Sequence, residues 1–140
     1  MLDLKQTDRM LRKLERFVDI IEPMIFEKVG EPGPVSAFAT LERFHCIPED
    51  SLFDPIEKGY KWCEEFGYCW FKTDFVVPDG LGGKDIFIRP HISGYEGTLW
   101  VDGVPYGNFS TKIVFTGHGN HYCDLLKKDA KAGQKIAIDL

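Results

Sequence analysis

The sequence predicts a mainly β chain: an antiparallel β-sandwich preceded by an N-terminal amphipathic helix. Three observations predict it. Phe71, Thr73, Phe75 and Val77 recur at every second position, as do Ile136, Ile138 and Leu140. A period of two puts each set on one face of a strand. Asp102-Gly103 separates Thr98–Val101 from Val104–Tyr106, and this pair favours a two-residue type I′ hairpin. Leu4, Leu11, Leu14, Val18 and Ile21 instead recur at helical spacing, with Phe17 widening the stripe.

In chain order, residues 3–22 read as the helix. Asp3 and Gln6 have capping-box spacing, in which each side chain takes the other's orphan amide. Glu22-Pro23 predicts its end, because proline lacks the N–H that would continue the ladder. Arg9, Arg12, Lys13, Glu15, Arg16 and Asp19 form its polar side. Such a helix covers a sheet or a neighbouring domain; a coiled-coil arm is the alternative, on a rather short apolar repeat. Pro23 to Pro34 is a connector ending in the turn signal Glu31-Pro32-Gly33-Pro34. Val35–Thr40 is a strand candidate and Phe44–Ile47 a shorter one. Pro48–Pro55 and most of Ile56–Gly67 read as irregular, with Trp62 and Phe66 pinning a long loop. Strands are expected at Tyr68–Pro78, Lys84–Pro90, Thr98–Val101, Val104–Tyr106, Thr111–Thr116 and Lys135–Leu140. The chain is expected to re-enter the sheet after the loop at Gly117.

Composition bounds the function. A length of 140 residues fits one domain, and 44% hydrophobic content supplies one core. Aromatics reach 14%, which suits sheet packing or burial against something larger. The net charge of −5 disfavours a nucleic-acid backbone as partner. No apolar run has membrane-spanning length and no signal-peptide pattern opens the chain, so no membrane partner and a cytoplasmic location are expected. The four cysteines, Cys46, Cys63, Cys69 and Cys123, lack CxxC spacing and are expected to be reduced and mostly buried.

Chemistry-bearing groups are sparse. His118, His121, Cys123 and Asp124 form the densest set of candidate metal ligands, but a structural zinc site needs four converging donors. The expected role is a hydrogen-bonded loop, with a metal site and a substrate- or domain-facing loop as alternatives. Glycoside hydrolysis needs two carboxylates across a small gap, and no spacing shows that Asp74, Asp102 and Asp124 converge. Asp102 is explained by its turn. No phosphate loop, dinucleotide fingerprint or nucleophile elbow is present. The residues alone read as a non-catalytic β domain.

Several stretches then suggest a family. Tyr68-Cys69-Trp70-Phe71-Lys72-Thr73-Asp74-Phe75-Val76-Val77-Pro78 resembles a strand ending in valine-proline near the start of family 38 alpha-mannosidases. Gly97-Thr98-Leu99-Trp100-Val101-Asp102-Gly103-Val104-Pro105-Tyr106-Gly107 resembles their hairpin. Gly119-Asn120-His121-Tyr122-Cys123-Asp124, with Ala130-Lys131-Ala132-Gly133-Gln134-Lys135 after it, is similar to the loop, strand and turn that follow. The resemblance covers most of the chain, and the order of the pieces is more specific than any one of them.

The resemblance implies a galactose-binding-like jelly roll ahead of a catalytic α/β domain. It divides the chain into a helix and linker, 1–33, and a β-sandwich, 34–140, expected to be a fragment truncated before that domain. The implied role is non-catalytic: bracing the catalytic domain of the same parent chain and shaping the carbohydrate cleft. The parent reaction would be zinc-assisted, retaining hydrolysis of alpha-mannosides, with zinc or another divalent metal held in the absent domain. The family's catalytic and metal motifs match nothing here, so no catalytic residue, metal ligand or cofactor is assigned to this chain. The alternatives are a free-standing carbohydrate-binding module and a structural interaction domain. Carbohydrate or interface candidates are Trp62, His91, Trp100, His118, Asn120, His121 and Tyr122. Mannose-containing glycans are expected partners, and the parent protein is free to form a homo-oligomer.

Overall fold

The computed structural model describes residues 3–62, 67–90, 92, 96–110 and 124–140. The chain divides into two compact units, Met1–Gly30 and Glu31–Leu140.

The first unit carries helix α1, Leu4–Ile25. Its capping box is formed: Asp3 Oδ1 accepts from the Gln6 amide at 2.7 Å, and Gln6 Oε1 accepts from the Asp3 amide at 3.0 Å. The helix runs through Pro23, beyond the end expected at Glu22. Proline removes a single amide donor, and so near the helix terminus little of the ladder remains to be broken. Leu11, Leu14, Phe17 and Val18 on the apolar stripe are all more than half exposed.

The second unit is the sandwich. Its strands are β1 (Val35–Thr40), β2 (Asp54–Ile56), β3 (Tyr68–Val76), β4 (Ile86–Ile88), β5 (Glu96–Val101), β6 (Val104–Ser110), β7 (Asp124–Lys127) and β8 (Lys135–Asp139). Among the described residues they form a six-stranded sheet, β2-β1-β3-β8-β5-β6, and a two-stranded sheet, β4-β7, with antiparallel pairing throughout. Phe75, Leu99, Val101, Phe109, Ile136 and Ile138 of the large sheet share one buried cluster with Ile86 and Leu126 of the small one. Leu99, Ile136, Ile138 and Val77 are the largest fully buried side chains. Each contributes about 1.5–3 kcal/mol by leaving water.

The hairpin between β5 and β6 has the predicted form. Asp102 and Gly103 have φ of 52° and 80°, the left-handed pair that a type I′ turn requires. Asp102 also joins the turn to β8. Its amide donates to the Ala137 carbonyl and its Oδ1 accepts from the Ala137 amide, both at 3.0 Å.

Some local expectations change. Phe44–Ile47 is not a strand. The Thr40 hydroxyl accepts from the Glu42 amide at 3.0 Å and turns the chain, after which the Phe44 ring meets Phe38 edge-on at 5.6 Å. The stretch read as irregular holds the short edge strand β2, which pairs with Val35–Ala37. A proline is tolerated there because an edge strand has one unpaired side. Cys46 is exposed rather than buried, and neither it nor half-buried Cys69 is in a disulfide. The strand expected at Thr111–Thr116 lies outside the described residues, as do Cys63 and Cys123. Among the described residues no helix is long and apolar enough to cross a membrane.

Candidate functional site

Alternation along β3 sends Phe71 and Phe75 into the core and leaves Trp70, Lys72 and Asp74 on the outer face of the large sheet. Register then decides their neighbours. Lys72 stands opposite Asp139 of β8, and Asp139 stands opposite Trp100 of β5. The Trp70 and Trp100 rings meet with centroids 6.0 Å apart. Beside them, the Lys72 ammonium lies 4.9 Å over the Phe53 ring and is hydrogen-bonded to Asp50. Phe53 in turn approaches Phe38 at 6.1 Å. Both tryptophans and both phenylalanines remain half-buried.

Asp139 is the anomaly on this face. It is only 4% exposed, and its Oδ1 has no hydrogen-bond partner among the described residues. Among the described residues, Lys72 is 3.8 Å from that oxygen and is held by exposed Asp50. Desolvation raises the Asp139 pKa above its ordinary 3.8; Lys72 opposes the shift and Asp50 adds to it. A buried carboxylate without full compensation costs several kcal/mol, and such groups concentrate at functional sites.

A second feature lies at the Tyr68 end of β3. Trp62 is half-buried, its ring edge-on to Phe71 at 5.7 Å and therefore toward the core-facing side. It lines an open groove of about 500 Å³ with Thr40, Leu41, Tyr60, Lys61 and Tyr68. Trp62 and Trp100 thus belong to separate places. His91, His118, Asn120, His121 and Tyr122 lie outside the described residues.

Two of the acids considered for hydrolysis, Asp74 and Asp102, have structural partners. Asp74 pairs with Lys135 at 2.9 Å, and its carbonyl accepts from the Gly33 amide at 2.7 Å. A Cβ at Gly33 would come within 2.9 Å of Asp74 Oδ1, so a larger residue there would have to displace that carboxylate. Asp102 is committed to Ala137, with Lys127 at 3.9 Å. Among the described residues no three His, Cys, Asp or Glu side chains are grouped to hold a metal.

Sequence reasoning singled out Trp100 but not the Lys72–Asp139 pair beside it. Its signal was an aspartate alternating with isoleucines in Ile136–Leu140; what buries it comes from other strands.

Taken together, the fold and its faces define a β-sandwich module of the jelly-roll type. Residues 24–139 match the family model described as "Alpha-mannosidase, jelly roll domain" of the Ams1-like group, and the chain belongs to that family. No curated protein and no solved structure matches the chain.

Proposed function

We propose that this chain is the non-catalytic N-terminal domain of an alpha-mannosidase-like glycoside hydrolase, seated against the catalytic domain of the same polypeptide by the outer face of its large sheet. The observation that carries this reading is Asp139, an incompletely paired carboxylate beside two half-buried tryptophans. A second protein surface would cover those rings and bring donors to the carboxylate. Zinc or another divalent metal would then belong to the catalytic domain, and the alpha-mannosidic bond would be cleaved there. The jelly roll would hold that domain in place and shape one edge of its carbohydrate cleft. A cytoplasmic site of action accords with this reading, as does a homo-oligomer built through the parent protein.

The first test is the coding sequence beyond Leu140. A family 38 catalytic domain in frame is expected; a stop codon or an unrelated domain overturns the reading. With that domain in hand, it and residues 1–140 are to be produced as separate chains. Association is expected, and Trp100→Ala should weaken it about tenfold or more, as loss of a buried aromatic anchor does. Hydrolysis of an aryl alpha-mannoside should track the catalytic chain alone. Turnover by purified residues 1–140 would count against a non-catalytic role.

The second reading, a carbohydrate-binding module, is favoured by one feature: the groove lined by Trp62, Tyr60 and Tyr68.

A further inference from the structure

We infer that this groove, at the Thr40–Tyr68 end of the β1–β3 pair, is a binding subsite for a neutral hexopyranose, distinct from the Trp70–Trp100 pair. The inference rests on the carbohydrate reading above and assigns it a place. The groove opens where β2 stops: β2 covers β1 only from Val35 to Ala37, while β1 continues to Thr40. Tyr60 and Tyr68 are each more than two-fifths exposed there, and Trp62 is held from behind by Phe71.

The lining suits a sugar in two respects. A pyranose presents an apolar patch of C–H bonds and a rim of hydroxyls. Tyr60, Trp62 and Tyr68 offer flat apolar surfaces for the first. The Lys61 ammonium, the Thr40 hydroxyl and the two phenols offer donors and acceptors for the second. The Trp62 ring already rests edge-on against Phe71 at 5.7 Å, so part of its side-chain entropy is lost before any ligand binds. A volume of about 500 Å³ lies within the usual range for small-molecule sites.

Methyl α-mannoside, titrated into the 15N-labelled 140-residue chain up to about 100 mM, tests this inference against a weak, millimolar-scale affinity. Saturable shifts are expected at the Tyr60, Lys61, Gly67 and Tyr68 amides. Tyr68→Ala, an exposed position, should weaken binding about tenfold while the spectrum stays folded. Trp62→Ala should weaken it further; should that variant unfold, Tyr68→Ala alone decides. Tyr106→Ala, at an exposed site on β6, should bind as the parent does. No saturable shift, or equal losses in Tyr68→Ala and Tyr106→Ala, overturns the subsite. Either result leaves the bracing role standing, because that depends on the sequence beyond Leu140 and on the Trp100 face.

Discussion

The two faces of the six-stranded sheet are built from the same strands and have opposite characters. On the inner face Leu99, Ile136 and Ile138 are essentially sealed by other apolar groups of the chain. On the outer face their immediate neighbours in sequence, Trp100 and Asp139, lie beside Trp70 and Lys72, with rings half-buried and one carboxylate oxygen without a hydrogen-bond partner among the described residues. The inner face is complete within one chain, because apolar contacts need only shape and exclusion of water. The outer face combines large rings with charge. There each buried polar atom needs a specific partner, and burial without one is costly.

The contrast is open to measurement. The largest effect is expected inside. Leu99→Ala should lower unfolding free energy by about 2–5 kcal/mol, the usual cost of a cavity in a packed core. Trp100→Ala, half-exposed, should cost about half as much despite its larger ring. Urea denaturation of both variants checks the ranking, and equal losses would erase the distinction between the faces.

Next comes the turn that joins the two hairpin strands to β8. Asp102→Ala should cost about 1–2 kcal/mol, through the lost acceptor for the Ala137 amide and a positive φ that alanine resists. Asp102→Asn retains a side-chain oxygen and tolerates that φ, so it should recover most of the loss. If alanine and asparagine melt alike, the side-chain bond to Ala137 contributes nothing.

Asp139 sets the pH response of the outer face. Its pKa is raised in the folded chain, chiefly by desolvation. The folded state therefore holds the proton more tightly than the unfolded one. Its contribution to stability is present at low pH and is lost as pH rises from the unfolded value through the folded one. In wild type, but not in Asp139→Asn, this component should fall over that interval. The difference in unfolding free energy between the two proteins, followed from acid to neutral pH, isolates it. A difference that grows in favour of wild type would mean that attraction to Lys72 outweighs desolvation.

The smallest effect should come from Asp50→Asn. Asp50 is exposed, and a solvated pair with Lys72 should change stability by less than about 0.5 kcal/mol at neutral pH. The same substitution removes a charge that raises the Asp139 pKa, so the Asp139-dependent transition should move to lower pH. An unmoved transition would uncouple the two carboxylates.

How much of this was legible in the residues depended on the range of the interaction. The capping box needs only Asp3 and Gln6, three positions apart, and was readable. So was the Asp102-Gly103 turn, because its two residues tolerate the φ values it requires. Alternation over Phe71–Val77 and Ile136–Leu140 identified strands and the residues sharing each face. It did not identify which strand lies beside which. The short strand β2 escaped because three residues around a proline carry no readable period.

The sequence by itself determined which residues turn, which extend and which share a face, since these follow from local backbone preferences and a period of two. Only the tertiary structure decided that β8 enters between β3 and β5. That placement brings Asp139 between Lys72 and Trp100, residues far apart along the chain. The physical reason is that strand order is settled by closing the two-sheet core around Leu99, Ile136 and Ile138 as a whole. The outer-face residues are carried into contact by that register, and nothing in their own local sequence specifies the company they keep.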